Sequence, residues 1–136
     1  MGSEMCIRDR VRGLHYQAPP FEQGKLVRCT RGKVVDIAVD VRPQSPTYGQ
    51  HVKAVLSSEN GHQIWIPPGF LHGFCTLENE CEVAYKVTNY YSGECDGNVL
   101  WNDPALSIDW GINEKTAILS DKDKVAPTLD VWVNPF

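Results

Sequence analysis

Residues 33–42, KVVDIAVDVR, alternate cleanly: Val35, Ile37, Val39 and Val41 fall on one face, and Asp36, Ala38, Asp40 and Arg42 on the other. A period of two predicts a strand with one apolar face. The acidic pair Asp36 and Asp40 then borders either a pocket or plain solvent, and the pattern leaves both open. The stretch SPTYG ends the run with turn residues. QHVKAVLS reads as the next strand and NGH as a hairpin turn, because Asn-Gly is the strongest short-range hairpin signal. QIWI follows, stopped by Pro67-Pro68-Gly69, and FLHGFCTL resumes. ECEVAYKVTNYY is a further aromatic and β-branched run, and NVLW a further short strand. No window before residue 104 shows an apolar period of roughly 3.6 residues. Only the tail differs: LSDKDK predicts a short helical turn capped by Ser120, with Asp121 and Asp123 near its positive end. Strands spaced roughly 8–12 residues apart with turns between them predict an all-β sandwich or barrel.

The length of 136 residues fits one domain. A chain of that size buries roughly two thirds of its unfolded surface. Hydrophobic residues make up 42% and charged residues 22%, as in an ordinary globular domain. The net charge is −4 and the thirteen Lys and Arg are scattered, which points away from nucleic acid while leaving room for a small anionic ligand. No apolar run approaches the roughly 20 residues of a membrane span, and no secretory leader is visible. The cysteines, Cys6, Cys29, Cys75, Cys81 and Cys95, are odd in number and form no C-x-x-C pair. That usage fits a reducing cytoplasm rather than a disulfide scaffold or zinc knuckle. The first ten residues, MGSEMCIRDR, show no coherent period and resemble translated sequencing-adapter read-through. They are read as a leader foreign to a single domain spanning 11–136, whose own N-terminal segment is missing.

Four histidines, His15, His51, His62 and His72, raise the question of a metal. No two of them are separated by one, three or four residues, so the local spacing of a metal site is absent. Acid–base chemistry is the alternative, because an imidazole ionises near neutrality. Removing a proton next to a carbonyl needs a base, a cation for the developing enolate oxygen and, for inversion, a second proton carrier on the other face. His15 suits the first task, Lys25 or Arg12 the second and Tyr85 the third. Asp123 and Asp36 are the candidate carboxylates to orient the histidine.

RGLHYQ, QGKLVRCTRGKVVDIAVDVRPQSPTYG, IWIPPGFLHGF, YKVTNYY, LWNDPALSIDW and LSDKD follow one another from residue 11 to about 124. In that order they resemble the successive motifs of dTDP-4-dehydrorhamnose 3,5-epimerases. The resemblance implies a cupin-like double-stranded β-helix, or jelly-roll barrel, acting without metal or organic cofactor and usually as a homodimer. It implies a dTDP-linked 4-keto-6-deoxy sugar as ligand, epimerised at C3 and C5 in dTDP-L-rhamnose biosynthesis. Carried over residue by residue, His15 matches the catalytic base and Asp123 the aspartate that orients it. Lys25 matches the lysine set against the enolate oxygen, and Tyr85 the tyrosine that returns a proton. Arg12, His72, Asp96, Lys122 and Tyr91 match substrate contacts, Tyr91 by stacking on the thymine. Asp96 stands where the family usually has a glutamate. The family's further N-terminal segment, with its substrate contacts and strands, has no counterpart before RGLHYQ, which predicts an unpaired sheet edge and an opened pocket.

Each assignment has a plainer rival. His15 and His72 are otherwise structural histidines, Lys25 and Arg12 solvated charges, and Tyr85 a core tyrosine in step with Val83 and Val87. His51 and His62 match no functional position and read as surface residues. Trp65, Trp101, Trp110 and Trp132 read as packing. Three other functions compete: a related 3- or 5-epimerase of another nucleotide-linked 4-keto-6-deoxy sugar, a non-catalytic sugar-nucleotide-binding module, and a metal-dependent cupin such as an oxygenase.

Overall fold

The computed structural model describes residues 2–136. Nine strands carry the fold: β1 (Gly2–Cys6), β2 (Val11–Gln17), β3 (Lys25–Arg31), β4 (Lys33–Asp40), β5 (His51–Ser57), β6 (Gln63–Ile66), β7 (Phe70–Thr76), β8 (Cys81–Val87) and β9 (Asp96–Asn98). A 3₁₀ turn (Glu114–Thr116) and a single helical turn, α1 (Asp121–Lys124), follow. The strands form two antiparallel sheets, a four-stranded one in the order β1-β8-β3-β6 and a five-stranded one in the order β5-β4-β7-β2-β9. The fold is all-β, as the spacing of strands and turns predicts.

Strand β4 shows how the layers stack. Its alternation holds, yet both faces are buried. Val35, Ile37 and Val39 pack with Val11, Leu71, Val99, Trp101 and Trp110, beneath the C-terminal segment. Val34 and Ala38 face the other sheet and pack with Val27, Ile66, Cys81 and Val83. Each such aliphatic side chain, fully buried, contributes about 2 kcal/mol of transfer free energy. The five-stranded sheet is therefore the middle layer, and Asp36 lies between the sheets rather than in solvent.

Several expectations are corrected. Asn60-Gly61 is a turn but not a hairpin, because β5 pairs with β4 and β6 with β3, so this turn carries the chain from one sheet to the other. The strand expected at NVLW lies earlier, over Asp96–Asn98; Val99 still exchanges backbone hydrogen bonds with Leu14, and Leu100 then turns to Pro127. A strand not expected from the sequence, β1, lies within the segment read as foreign to the domain; it pairs with β8 and is itself an edge of the four-stranded sheet. Trp101 and Trp110 pack in the core, with Trp110 Nε1 donating to the Trp101 carbonyl (3.0 Å), whereas Trp65 is 53% exposed. The helical turn at LSDKDK is present, with Ser120 as its N-cap.

Two features hold the frame. Gly13 has φ +147°, and a Cβ there would sit 2.7 Å from the Cα of Gly73, so β2 and β7 cross too closely for any side chain. At the other end of β4, the buried Asp40 accepts from the Arg42 backbone and guanidinium and from the Ser45 and Thr47 hydroxyls, pinning the SPTYG turn. Arg42 foremost, with Ser45 and Thr47, holds the Asp40 carboxyl well below the usual carboxylate range despite its burial.

Gly13→Ala is expected to cost about 3 kcal/mol of stability in denaturant titration, since it meets both a left-handed backbone and Gly73. An unchanged midpoint would contradict the close crossing. The Asp40 contribution is fully present above the ordinary aspartate value of 3.8 and is lost as pH falls through it toward the folded value. Asp40→Asn should therefore cost about 2 kcal/mol at neutral pH and progressively less in acid. Parallel stability curves of the two proteins across that range would contradict this.

Candidate active site

The site begins with an irregularity in β2. Simple alternation would put Arg12 and His15 on opposite faces, because they are three positions apart. The β2–β7 register instead shifts between them: Arg12 lies opposite Phe74 and His15 opposite His72. This bulge at Gly13-Leu14 turns both side chains into the same space between the sheets. Leu14 is left fully buried on the other face.

That space is a pocket of about 250 Å³. The five-stranded sheet contributes Arg12, His15, Gln17, His72, Phe74 and Asp96 to its wall, and the four-stranded sheet contributes Lys25, Val83, Tyr85 and Val87. Gln23 and Tyr91 stand on the loops that follow β2 and β8. His15 and Tyr85 thus belong to opposite walls.

Two histidine–carboxylate pairs share the five-stranded wall. His15 Nε2 donates to Asp123 Oδ1 at 2.7 Å. An ionised carboxylate only accepts, so Nε2 carries the proton and Nδ1 remains as the ring's acceptor. Asp123 is 2% exposed and also accepts from the Gly13 backbone (3.2 Å) and from Asn98 Nδ2 (3.3 Å). Burial alone would raise its carboxyl. The His15 hydrogen bond and charge, with Gly13 and Asn98, outweigh burial and hold it below the usual range. In the second pair, His72 Nε2 donates to Asp36 Oδ1 at 2.9 Å, and His72 Nδ1 accepts from Lys25 Nζ at 3.4 Å. Burial pushes the His72 imidazole below its ordinary value, with Lys25 and His15 adding to this against the pull of Asp36. A neutral His72 of this tautomer links Asp36 to the Lys25 ammonium across the gap between the sheets.

Of the residues singled out in the sequence, His15, Lys25, Tyr85, Arg12, His72, Asp96 and Tyr91 line this one pocket. Asp123 joins it through His15. Lys122 meets it through Asp96, to which its ammonium donates. Asp36, left open between pocket and solvent, supports His72; Asp40 belongs to the turn below and touches none of these groups. Gln17, Gln23 and Asn98 were not anticipated, because neutral amides carry no chemical signature in sequence. Among the described residues, no three His, Cys, Asp or Glu side chains are grouped as metal ligands would be. Among the same described residues, no helix is long and apolar enough to cross a membrane.

Comparison with known proteins agrees with this geometry. The family model described as dTDP-4-dehydrorhamnose 3,5-epimerase matches residues 3–130. The dTDP-4-dehydrorhamnose 3,5-epimerase of Sinorhizobium fredii is 56% identical over 119 residues, which are 88% of this chain and 60% of that protein. The chain therefore spans about 60% of the length of this curated relative. A crystal structure of the dTDP-6-deoxy-D-glucose-3,5-epimerase of Legionella pneumophila, in complex with dTDP-4-keto-L-rhamnose, superposes with a TM-score of 0.92 at 45% identity, covering 96% of this chain and 68% of that one. A 3′-monoepimerase from Streptomyces bikiniensis in complex with dTDP-quinovose gives a TM-score of 0.88 at 32% identity, covering 95% and 65%. The motifs in register, the cupin-like pair of sheets and the matched family model together establish that this chain belongs to the dTDP-4-dehydrorhamnose 3,5-epimerase family.

Proposed function

We propose that the pocket epimerises C3 and C5 of dTDP-4-dehydro-6-deoxyglucose, giving dTDP-4-dehydrorhamnose through enolate intermediates, without a metal or organic cofactor. The observation that carries this reading is the pairing of His15 with a buried carboxylate on one wall, opposite Tyr85 and Lys25 on the other. Both reacting carbons lie next to the C4 ketone, so one arrangement serves both. His15 Nδ1 takes the proton, the C–H electron pair forms the C=C bond and the ketone oxygen becomes the enolate oxygen. Asp123 offsets the charge that appears on the imidazole. Lys25, held by His72, which Asp36 holds in turn, supplies the cation for the enolate oxygen in a partly dehydrated site. Tyr85 gives its phenolic proton to the opposite face of the carbon, which inverts the centre. Water then exchanges protons with both side chains and restores them.

Arg12 meets the diphosphate or sugar as a charged clamp, His72, Asp96 and Lys122 contact the ligand, and Tyr91 stacks on the thymine. The active form is a homodimer in the cytoplasm, serving dTDP-L-rhamnose and cell-wall polysaccharide synthesis. The five free cysteines support a reducing compartment.

NMR of dTDP-4-dehydro-6-deoxyglucose with this chain in heavy water tests the reading. Deuterium at C3 and C5 with inverted product is expected; exchange at C3 alone would make it a 3-epimerase, and ligand binding without exchange would make it a binding module. His15→Asn should lower exchange by at least about 10³-fold with the fold intact, as expected for loss of a catalytic base. Tyr85→Phe should keep exchange with solvent but lose inversion. Inversion at full rate in Tyr85→Phe would remove Tyr85 from the role of proton donor.

A further inference from the structure

Gln17 stands two residues beyond His15 on the same face of β2 and is 6% exposed. Its Nε2 donates to the carbonyls of Phe21 (2.6 Å) and Tyr90 (3.0 Å), and its Oε1 accepts from the backbone N–H of Ser92 (3.1 Å). The amide orientation is fixed by this set, because the reverse would place an oxygen against two carbonyls and an NH₂ against an N–H. Only one side chain at this position satisfies two acceptors and a donor at once, and that is a carboxamide of this length.

The contacts fall on either side of one residue. Tyr90 and Ser92 flank Tyr91, so Gln17 grips the backbone immediately before and after the tyrosine at the pocket mouth. Tyr91 is 74% exposed, so packing does little to place it. The rest of the two loops is laced in the same manner: Gln23 Nε2 donates to the Asn89 carbonyl (2.8 Å), and Asn89 Nδ2 to the Glu22 carbonyl (2.7 Å). Those ties hold one loop to the other. Gln17 ties both loops to the strand that carries His15.

We infer that Gln17 is a positioning residue for ligand recognition: its carboxamide sets the Tyr91 backbone in register with β2, so that the ring meets the planar base of a nucleotide-linked sugar at a fixed distance from His15. This rests on the reading of Tyr91 as the base-stacking residue. It places Gln17 in affinity and not in proton transfer, since none of its three partners is a reacting group.

The test uses the full chain with Gln17→Leu, Gln17→Glu, Tyr91→Ala and the Gln17→Leu/Tyr91→Ala pair. Leucine removes the whole grip. Glutamate keeps an acceptor for Ser92 but sets a second oxygen against the Phe21 and Tyr90 carbonyls. Loss of an ordered stacking partner should weaken dTDP binding and raise KM about tenfold, with kcat within about twofold of the parent. The double variant should bind no more weakly than Tyr91→Ala alone, because Gln17 acts through Tyr91. Multiplying effects, or a fall in kcat at unchanged KM, would overturn the inference. Hydrogen exchange of the Ser92 amide, read without ligand, keeps the question separate from the enzymatic reading. Failure of the parent chain to bind dTDP would remove the nucleotide reading. A Ser92 amide slow in the parent and fast in both Gln17 variants would then still support the grip, and equal rates would overturn it.

Discussion

The site depends on one buried carboxylate. Asp123 lies in a four-residue helical turn, more than a hundred residues from β2, and it accepts at once from His15 and from the backbone N–H of Gly13. The first contact fixes the tautomer of the imidazole. The second holds the bulge that brings His15 and Arg12 onto the same wall. An ionised group taken out of water is costly unless its lone pairs are used, and Asn98 uses another of them. The same hydrogen bonds that make Asp123 tolerable inside the protein also aim the proposed base. A change at Asp123 would therefore disturb the bulge and the orientation of the imidazole together.

For the proposed inversion, the two-sheet architecture supplies what a single wall cannot. Inverting a carbon centre needs proton carriers on opposite sides of it, and β2 and β8 belong to different sheets facing a shared pocket. Lys25 crosses the gap to His72, and through it to Asp36, so the second histidine–carboxylate pair joins the walls where the first serves one of them. The pairs also differ in character. His72 is pushed toward neutrality by burial, which suits a hydrogen-bond acceptor for an ammonium, whereas the His15 side chain is 34% exposed and meets the pocket directly.

Much of this was legible in the sequence, for identifiable reasons. The alternation of β4 gave its parity correctly, since side chains on a strand must alternate. It did not show that both faces are buried, because Asp36 among valines looks the same whether a second sheet or water lies opposite. The NGH turn was legible as a turn, but a local reversal carries no information about whether its flanking strands pair. β1 escaped notice because an edge strand of five residues needs little periodicity. The residue types left both Asp123 and Asp36 as partners for His15, and only motif resemblance singled out Asp123. The Arg12–His15 bulge could not be read at all: it goes with the close approach of Gly13 to Gly73, on two strands distant in sequence. Gln17 stayed hidden in the RGLHYQ motif because a neutral amide acquires meaning only from the three backbone groups around it.

The tautomer of the His15 ring is the most direct readout of whether Asp123 prepares a base. Long-range ¹H–¹⁵N spectra of the ¹⁵N-labelled chain at a pH where His15 is neutral would report which ring nitrogen carries the proton. A protonated Nε2 and a bare Nδ1 are expected, with this preference weakened or lost in Asp123→Asn. A proton on Nδ1, or a tautomer indifferent to Asp123, would leave the pocket without its base and contradict the central claim.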